Sequence, residues 1–323
     1  MRPHLRLASL IFNQPQLVTD QMMDLAMQWA AQSLHLNIVN LSVNGAQPKI
    51  MGDDDHGGGA QMAAAADRRR AVVADTGLDI IPVSGILVSR SAHMNACEPM
   101  TSYEGLRSSV NQAAADPAVE HIVLDIDSNG GSATGAFELA DDIRAAAQVK
   151  PITAIVNFSA FSGGYLIAAA ASNVIVSQTS GVGSVGVIAK HADVSKRDEQ
   201  QGVKVTSVFA GNHKNDLTPH EPLSDQSLQF LQGMVQNSYQ QFVDAIANFR
   251  GLTTQAVKDT QAGIFFGKQG VDAGLADSVE TPQAAINRIA AEVRAARADR
   301  QARAPARRSV AAQAAAMNMR ARY

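Results

Sequence analysis

Cysteine is almost missing from this 323-residue chain: Cys97 stands alone, so no intramolecular disulfide and no cysteine-built zinc site is possible. Its surroundings, Asn95-Ala-Cys-Glu-Pro99, read as a polar loop rather than the strand-to-helix corner a catalytic thiol requires. Long apolar runs are missing as well. No stretch approaches the 18 uninterrupted apolar residues of a membrane span, and the N-terminus lacks the basic, apolar and small-residue succession of a secretory signal. A soluble protein in a reducing intracellular compartment is therefore expected. Aromatics are scarce at 5%, and a net charge of −3 argues against a chain built to coat nucleic acid. The charge is uneven, however. From Pro282 onward nine arginines face only Glu292 and Asp299, a balance of +7 that leaves −10 for the remainder.

What the chain does have is 46% hydrophobic residues, enough for a sizeable core. Residues 1–50 carry weak helical patterning around Val18–Leu36. Residues 51–77 open with Gly52-Asp-Asp-Asp-His-Gly-Gly-Gly59 and read as a flexible linker. His56 beside three aspartates there reads as solvated, and no metal is expected. From Leu78 the texture becomes that of alternating strands and helices. Strand-like segments start at Asp79, His121, Ile152, Val174 and Val203, and amphipathic helices cover Tyr103–Ala115, Gly135–Ala147 and Ser224–Phe249. Alternation at this spacing predicts an α/β domain over 78–280 with a largely parallel sheet. Residues 281–323 form an Ala/Arg-rich tail, helical to about Arg300 and disordered past Pro305.

Ser162 is the most informative position. The apolar run Pro151-Ile-Thr-Ala-Ile-Val156 leads in, Phe161-Ser-Gly-Gly-Tyr165 turns, and Leu166-Ile-Ala-Ala-Ala-Ala171 leads out. A hydroxyl at a helix start lies where free N–H groups and the helix dipole favour developing negative charge. An ordinary N-cap would look the same. One unit earlier, Asp127-Ser-Asn-Gly-Gly-Ser132 follows another buried strand, where paired glycines expose N–H groups to a cleft. Together the two turns, the second presenting Ser162 and Gly163, offer donors for an oxyanion hole. Gly130, with Ser184, Val185 and Gly186 of the glycine-rich Ser180–Val187 segment, would contact substrate. That segment lacks the spacing of a phosphate loop or a dinucleotide fingerprint, so no nucleotide cofactor is expected.

A serine nucleophile needs a base. No Gly-x-Ser-x-Gly elbow is present, His93 and His191 sit in polar loops, and His121 starts a buried strand. Gly211-Asn-His-Lys-Asn-Asp216 offers both His213 and Lys214. Residue chemistry by itself favours histidine, since lysine acts as a base only where burial disfavours its ammonium form.

Five ordered motifs carry a family resemblance: Phe-Ser-Gly-Gly-Tyr165, the Ser-Asn-Gly-Gly131 turn, Gly183-Ser-Val-Gly-Val187, Gly211-Asn-His-Lys-Asn-Asp216 and Phe266-Gly-Lys-Gln-Gly-Val-Asp-Ala-Gly-Leu-Ala-Asp277. Over Leu78–Val279 the chain resembles the signal peptide peptidase A family, which implies the Clp protease/crotonase-like fold and a Ser–Lys dyad. By that resemblance Ser162 is the nucleophile, Lys214 the general base, and the amides of Gly131 and Gly163 form the oxyanion hole. Asn129 departs from the Ser-Pro-Gly-Gly turn of many relatives, a position where Asn also tolerates unusual backbone angles. Ile81-Pro-Val-Ser-Gly-Ile-Leu-Val-Ser-Arg90, Ser102-Tyr-Glu-Gly105 and Leu10-Ile-Phe-Asn-Gln-Pro15 resemble the head-maturation proteases of lambda-type tailed phages. The resemblance implies a serine endopeptidase acting on scaffold, portal or capsid proteins, working as a homo-oligomeric ring in the host cytoplasm or a procapsid. Its dyad could close between neighbouring chains. Signal-peptide degradation is the alternative within the family; a crotonase-type acyl-CoA enzyme and a non-catalytic assembly protein are alternatives from other classes.

Overall fold

The computed structural model describes residues 14–24, 27, 58–90 and 100–320, with side chains from 66 to 303 in the main body. The strands are β1 (Gln16–Val18), β2 (Leu78–Val88), β3 (Met100–Ser102), β4 (His121–Ser132), β5 (Ile152–Phe161), β6 (Asn173–Val176), β7 (Gly181–Gly183), β8 (Ile264–Phe266) and β9 (Ser278–Val279). The helices are α1 (Gly58–Thr76), α2 (Tyr103–Ala115), α3 (Ala136–Val149), α4 (Gly163–Ala170), α5 (Ser195–Gln200), α6 (Asp225–Arg250), α7 (Thr254–Asp259), α8 (Lys268–Asp272) and α9 (Pro282–Arg320). The spine of the sheet runs β3-β2-β4-β5-β6-β9, with every neighbouring pair parallel. This is the expected α/β architecture.

The period-two geometry of a strand explains how the sheet is covered. Ile122, Leu124 and Ile126 of β4, Ile152, Ala154 and Val156 of β5, and Val174 and Val176 of β6 enter one core with residues of α2, α3, α4 and α6. The intervening Val123, Ile155 and Ile175 enter a second core with Ala285, Ile289, Ala290 and Val293 of α9. Strands buried on both faces therefore read as continuous apolar runs. Side-chain caps set two helix starts: Ser102 Oγ accepts from Gly105 N, and Ser224 Oγ from Ser227 N. Gly251, in the left-handed region, ends α6.

The ends of β4 and β5 change partners, which creates the site. The first half of β5 pairs with β6, but Ser159–Phe161 pair with β7. The register between β4 and β5 shifts after Ile126. Gly130–Ser132 leave β5 and pair antiparallel with β1.

Several sequence expectations need correction. Gly58–Thr76, within the expected linker, is helix α1; Arg69 pairs its Nε and Nη2 with the buried Asp79 carboxylate at 2.5 and 2.6 Å. Residues 51–57, including His56, and the loop with His93 and Cys97 lie outside the described residues. Val203–Phe209 is not a strand. Its β-branched pattern finds no ladder partner among the described residues, and Val203, Val205, Val208 and Phe209 are exposed. The tail does not stop being helical at Arg300, since α9 continues through Pro305 to Arg320. Its arginines are partly used at home: Arg294 pairs with Asp75 at 2.9 Å, and Arg297 Nε donates to Glu120 at 2.6 Å. At the N-terminus, Gln16–Val18 is strand, and only 20–24 and 27 of the described residues in the expected helical stretch are helical.

Asp277 closes the far edge of the sheet. Its carboxylate accepts from Val174 N at 2.6 Å and from Arg250 Nη1 and Nη2 at 3.0 and 2.8 Å. Burial pushes this carboxyl upward, but the Arg250 hydrogen bonds and the Val174 amide outweigh it and hold it below the ordinary aspartate value. A lowered folded value means stability present above the unfolded pKa, about 3.9, and lost as pH falls through the folded value. Urea titrations between pH 6 and 2 should therefore show a stability loss below about pH 4. Asp277→Asn should be less stable at neutral pH and should lose part of that acid dependence.

Candidate active site

Ser162 occupies the junction of β5 and α4 with φ 53° and ψ −117°, a left-handed conformation unusual for a residue with a side chain. Gly267 adopts nearly the same angles, φ 48° and ψ −118°, at the start of α8, where glycine meets no Cβ penalty. Ser162 is held there by its backbone: its N–H donates to Gly183 O at 2.9 Å and its carbonyl accepts from Leu166 N at 3.0 Å. The hydroxyl does not cap the helix. It donates instead toward Gly186 O at 3.4 Å. A capping role, which would leave the serine unstrained and bonded to its own helix, does not fit this geometry. A strained serine at a strand-to-helix turn is the arrangement that presents a nucleophile.

The Gly130-Gly131 turn lies beside it. A Cβ built on Gly130 would stand 2.9 Å from Gly163 N, and one built on Gly163 would stand 3.4 Å from Gly131 N. The two glycine turns read as a pair in the sequence are thus neighbours, with their amides converging next to Ser162. Ser128 fixes the turn from below: its Oγ donates to Gly85 O at 2.7 Å and accepts from Gly130 N at 3.1 Å. Sequence reasoning gave Ser128 no role. Its place two residues ahead of a Gly-Gly pair is the usual signal of a serine that bonds its own turn.

Ser184, Val185 and Gly186 form the opposite wall. Ser184 has φ 55°, its N–H donates to Gly263 O at 2.7 Å, and Gly186 N–H donates to Ser184 O at 2.8 Å. Gly186 is the one of the three whose carbonyl meets the Ser162 hydroxyl. Val185 is buried.

No hydrogen bond joins either candidate base to Ser162 among the described residues. The 211–217 loop is tied to the start of α6 through Asp216, which accepts from Gln226 Nε2 at 2.9 Å and Ser227 Oγ at 3.1 Å. His213 Nδ1 lies 2.7 Å from the other Asp216 oxygen, and its ring packs on Phe230 with centroids 5.9 Å apart. The His213 hydrogen bond leads the influences that hold Asp216 below the ordinary carboxyl value. His213 is thereby committed to its own loop. Lys214 is exposed, and no hydrogen bond joins its side chain to Ser162 among the described residues. Of the other histidines, His121 bonds Thr153 Oγ1 at 2.9 Å, and burial pushes its imidazole below the ordinary value. His191 lies on the segment that follows Ile188. No cluster of metal-binding side chains is found among the described residues.

A strained serine, paired glycine amides and a groove that holds an extended strand together make a site fitted to acyl transfer. Residues 144–296 match the model of peptidase family S49, the similarity that the sequence motifs implied. The capsid assembly protease C of Escherichia phage lambda is 39% identical over 210 residues, 65% of this chain and 48% of the relative. The head-tail preconnector protein GP5 of Enterobacteria phage P21 is 38% identical over 214 residues, 66% of this chain and 43% of the relative. The chain thus spans about half the length of these curated relatives. Among solved structures, a ClpP1 variant from Listeria monocytogenes aligns at 9% identity with a TM-score of 0.42, over 68% of this chain and 99% of that one. No helix among the described residues is long and apolar enough to cross a membrane.

The strain at position 162 is measurable. Alanine retains a Cβ and its penalty at positive φ, whereas glycine releases it, a difference of about 1 to 3 kcal/mol. Ser162→Gly should therefore denature at higher urea than Ser162→Ala, reversing the usual order in which glycine is the less stable residue.

Proposed function

We propose that this protein is a serine endopeptidase of the phage head-maturation type, with Ser162 as nucleophile and Lys214 as general base. The observation that carries the reading is the strained, non-capping Ser162 beside the converging amides of Gly131 and Gly163. The 38–39% identity to two phage head proteins, one of them named a protease, adds the class of substrate: structural proteins of the virion.

In the reaction, Ser162 Oγ adds to a peptide carbonyl as its proton passes to neutral Lys214. The amides of Gly131 and Gly163 hold the oxyanion; each such donor contributes on the order of 3 kcal/mol of barrier lowering. Collapse of the tetrahedral species breaks the C–N bond, and Lys214 returns the proton to the leaving amine. Water then hydrolyses the acyl-enzyme and restores Ser162. No metal or organic cofactor enters this sequence of steps.

The position of Lys214 favours a dyad closed between two copies of the chain. In one chain the lysine is exposed on a loop that Asp216 ties to α6, and no hydrogen bond joins it to the serine among the described residues. Next to it in sequence runs the 203–209 segment, which forms no strand and exposes Val203, Val205, Val208 and Phe209. A second copy covering this segment would bury apolar surface and supply the desolvation a lysine base needs. Ring assembly would then couple activity to oligomerisation.

The test is subunit mixing with casein or a recombinant head protein as substrate. Ser162→Ala and Lys214→Ala should each lose at least about 1000-fold in kcat. When the two inactive variants are mixed and reassembled, a fraction of wild-type activity should return, because some interfaces pair an intact serine with an intact lysine. Lack of recovery would place the dyad within one chain. Full activity in Lys214→Ala, with loss in His213→Ala, would move the base to histidine.

A further inference from the structure

The groove between the oxyanion turn and the 186–188 wall is already filled, by β1 of the same chain. Gln16 exchanges both backbone hydrogen bonds with Ile188, N to O at 2.8 Å and O to N at 3.1 Å. On its other edge β1 runs antiparallel to the oxyanion turn, with Gln16 opposite Ser132, Leu17 opposite Gly131 and Val18 opposite Gly130. The outer bonds set the phase of this ladder: Ala133 N donates to Pro15 O and Thr19 N to Asn129 O, both at 3.3 Å. Hydrogen-bonded pairs alternate along an antiparallel ladder, so 15/133, 17/131 and 19/129 are those pairs, and the Gly131 amide faces the Leu17 carbonyl.

That carbonyl sits at the mouth of the oxyanion hole. A Cβ added to Gly130 would fall 1.9 Å from Leu17 O and 2.9 Å from Gly163 N; one added to Gly163 would fall 3.2 Å from Leu17 O. The oxygen of Leu17 is therefore flanked by both amides assigned to the oxyanion. Leu17 is fully buried, and so is Ser162, which an open nucleophile would not be. A latch secures the residues that follow: Lys190 pairs with Asp20 at 2.7 Å and with Asp24. Thr19 O accepts from Met23 N at 3.0 Å, starting a helical turn.

From this geometry we infer that Pro15–Thr19 is bound as a substrate and that the Leu17–Val18 bond is the enzyme's own processing site. The inference rests on the serine-peptidase reading of Ser162. Ser162 Oγ would add to the Leu17 carbonyl carbon, the C–N bond to Val18 would break, and the proton taken from the serine would pass to the Val18 nitrogen. Water would release residues 1–17 with a Leu17 carboxylate, leaving Val18 as the new N-terminus and the groove open to other chains. The buried Leu17 side chain also defines the specificity expected toward outside substrates, a medium-sized aliphatic residue ahead of the scissile bond.

The experiment follows intact mass and N-terminal sequence of the purified full chain over time. A fluorophosphonate probe and casein hydrolysis report on Ser162 independently. Wild type should convert to a form beginning at Val18, and Ser162→Ala should stay full length. A synthetic peptide with the sequence Phe-Asn-Gln-Pro-Gln-Leu-Val-Thr-Asp should be cut between Leu and Val. Replacing its Leu by Asp should lower the rate at least about 100-fold, since a charged group cannot enter an apolar pocket. The peptide arm does not depend on whether a variant chain folds. Probe labelling and casein cleavage with an intact Leu17–Val18 bond in both chain and peptide would overturn the inference and leave the peptidase reading standing. No labelling and no cleavage of any substrate would remove the peptidase reading, and the inference with it.

Discussion

Close approach of backbones around Gly131 is the constraint on which the site depends. A Cβ there would lie 1.9 Å from Leu87 O and 2.7 Å from Leu87 N, so only glycine lets β4 keep its register against β2 at this point. That register carries the end of β4 past Ser128 and turns it toward α4. There Gly164 allows a second contact, since its Cβ would meet Ser128 O at 2.7 Å. Two strand ends and one helix start are thus brought together at distances that side chains would forbid. The converging amides are the consequence, because backbone packed this closely can present N–H groups to a common point.

The same reasoning accounts for the glycine-rich Ser180–Val187 segment without a phosphate. Gly181 faces Phe161 and Phe266, whose rings meet edge to face with centroids 6.4 Å apart, and its Cβ would lie 2.8 Å from the first. Gly183 has φ 114°, and its Cβ would lie 2.5 Å from Gly263 O. These glycines let β7 lie flat between β5 and β8, and Gly183 O then receives the Ser162 N–H. The strained angles at Ser162 are imposed from behind by a strand pair built on absent side chains. Strain of this size persists only where the surroundings over-determine it, and here the sheet does so.

Much of this was legible in the sequence, for physical reasons that differ by element. Helices Tyr103–Ala115 and Ser224–Phe249 were readable because a capping serine and an apolar stripe coincide in each. The parallel strands were readable because burial on both faces makes His121–Asp127 and Ile152–Val156 continuous. Val203–Phe209 misled because β-branched composition reports fitness for a pleated surface and says nothing about whether one chain supplies the partner strand. The linker expectation failed at Gly58–Thr76, where three leading glycines hid an Ala/Arg helix tied down by the distant Asp79. Ser162 and the glycine pairs stood out from local pattern. The choice of Lys214 over His213 came from family resemblance; the structure adds that His213 is occupied by Asp216 and Phe230. Gln16-Leu17-Val18 was invisible, because three residues after a proline carry no pattern, and what makes them a strand is the groove more than a hundred residues away.

The covered groove and the exposed lysine bear on one question, how the proposed peptidase would be kept from digesting its surroundings during synthesis. Each blocks a different requirement. On the proposed reading the strand occupies the oxyanion site and covers Ser162, so substrate would be excluded whether or not a base is present. The loop leaves Lys214 exposed, so a serine that relies on it as proposed would lack its base whether or not the groove is empty. If Lys214 acts across an interface, assembly would supply the base while the tethered strand is still seated, and the first carbonyl exposed to an activated Ser162 would be that of Leu17. The order of events would then follow from geometry: association first, cleavage of the chain's own strand second, and access for foreign substrate last. A tethered strand is well suited to this role, because its effective concentration is high before cleavage and falls sharply once the bond is cut. Val18 would remain held by the Lys190 latch on Asp20 and Asp24, while residues 1–17 would be free to leave.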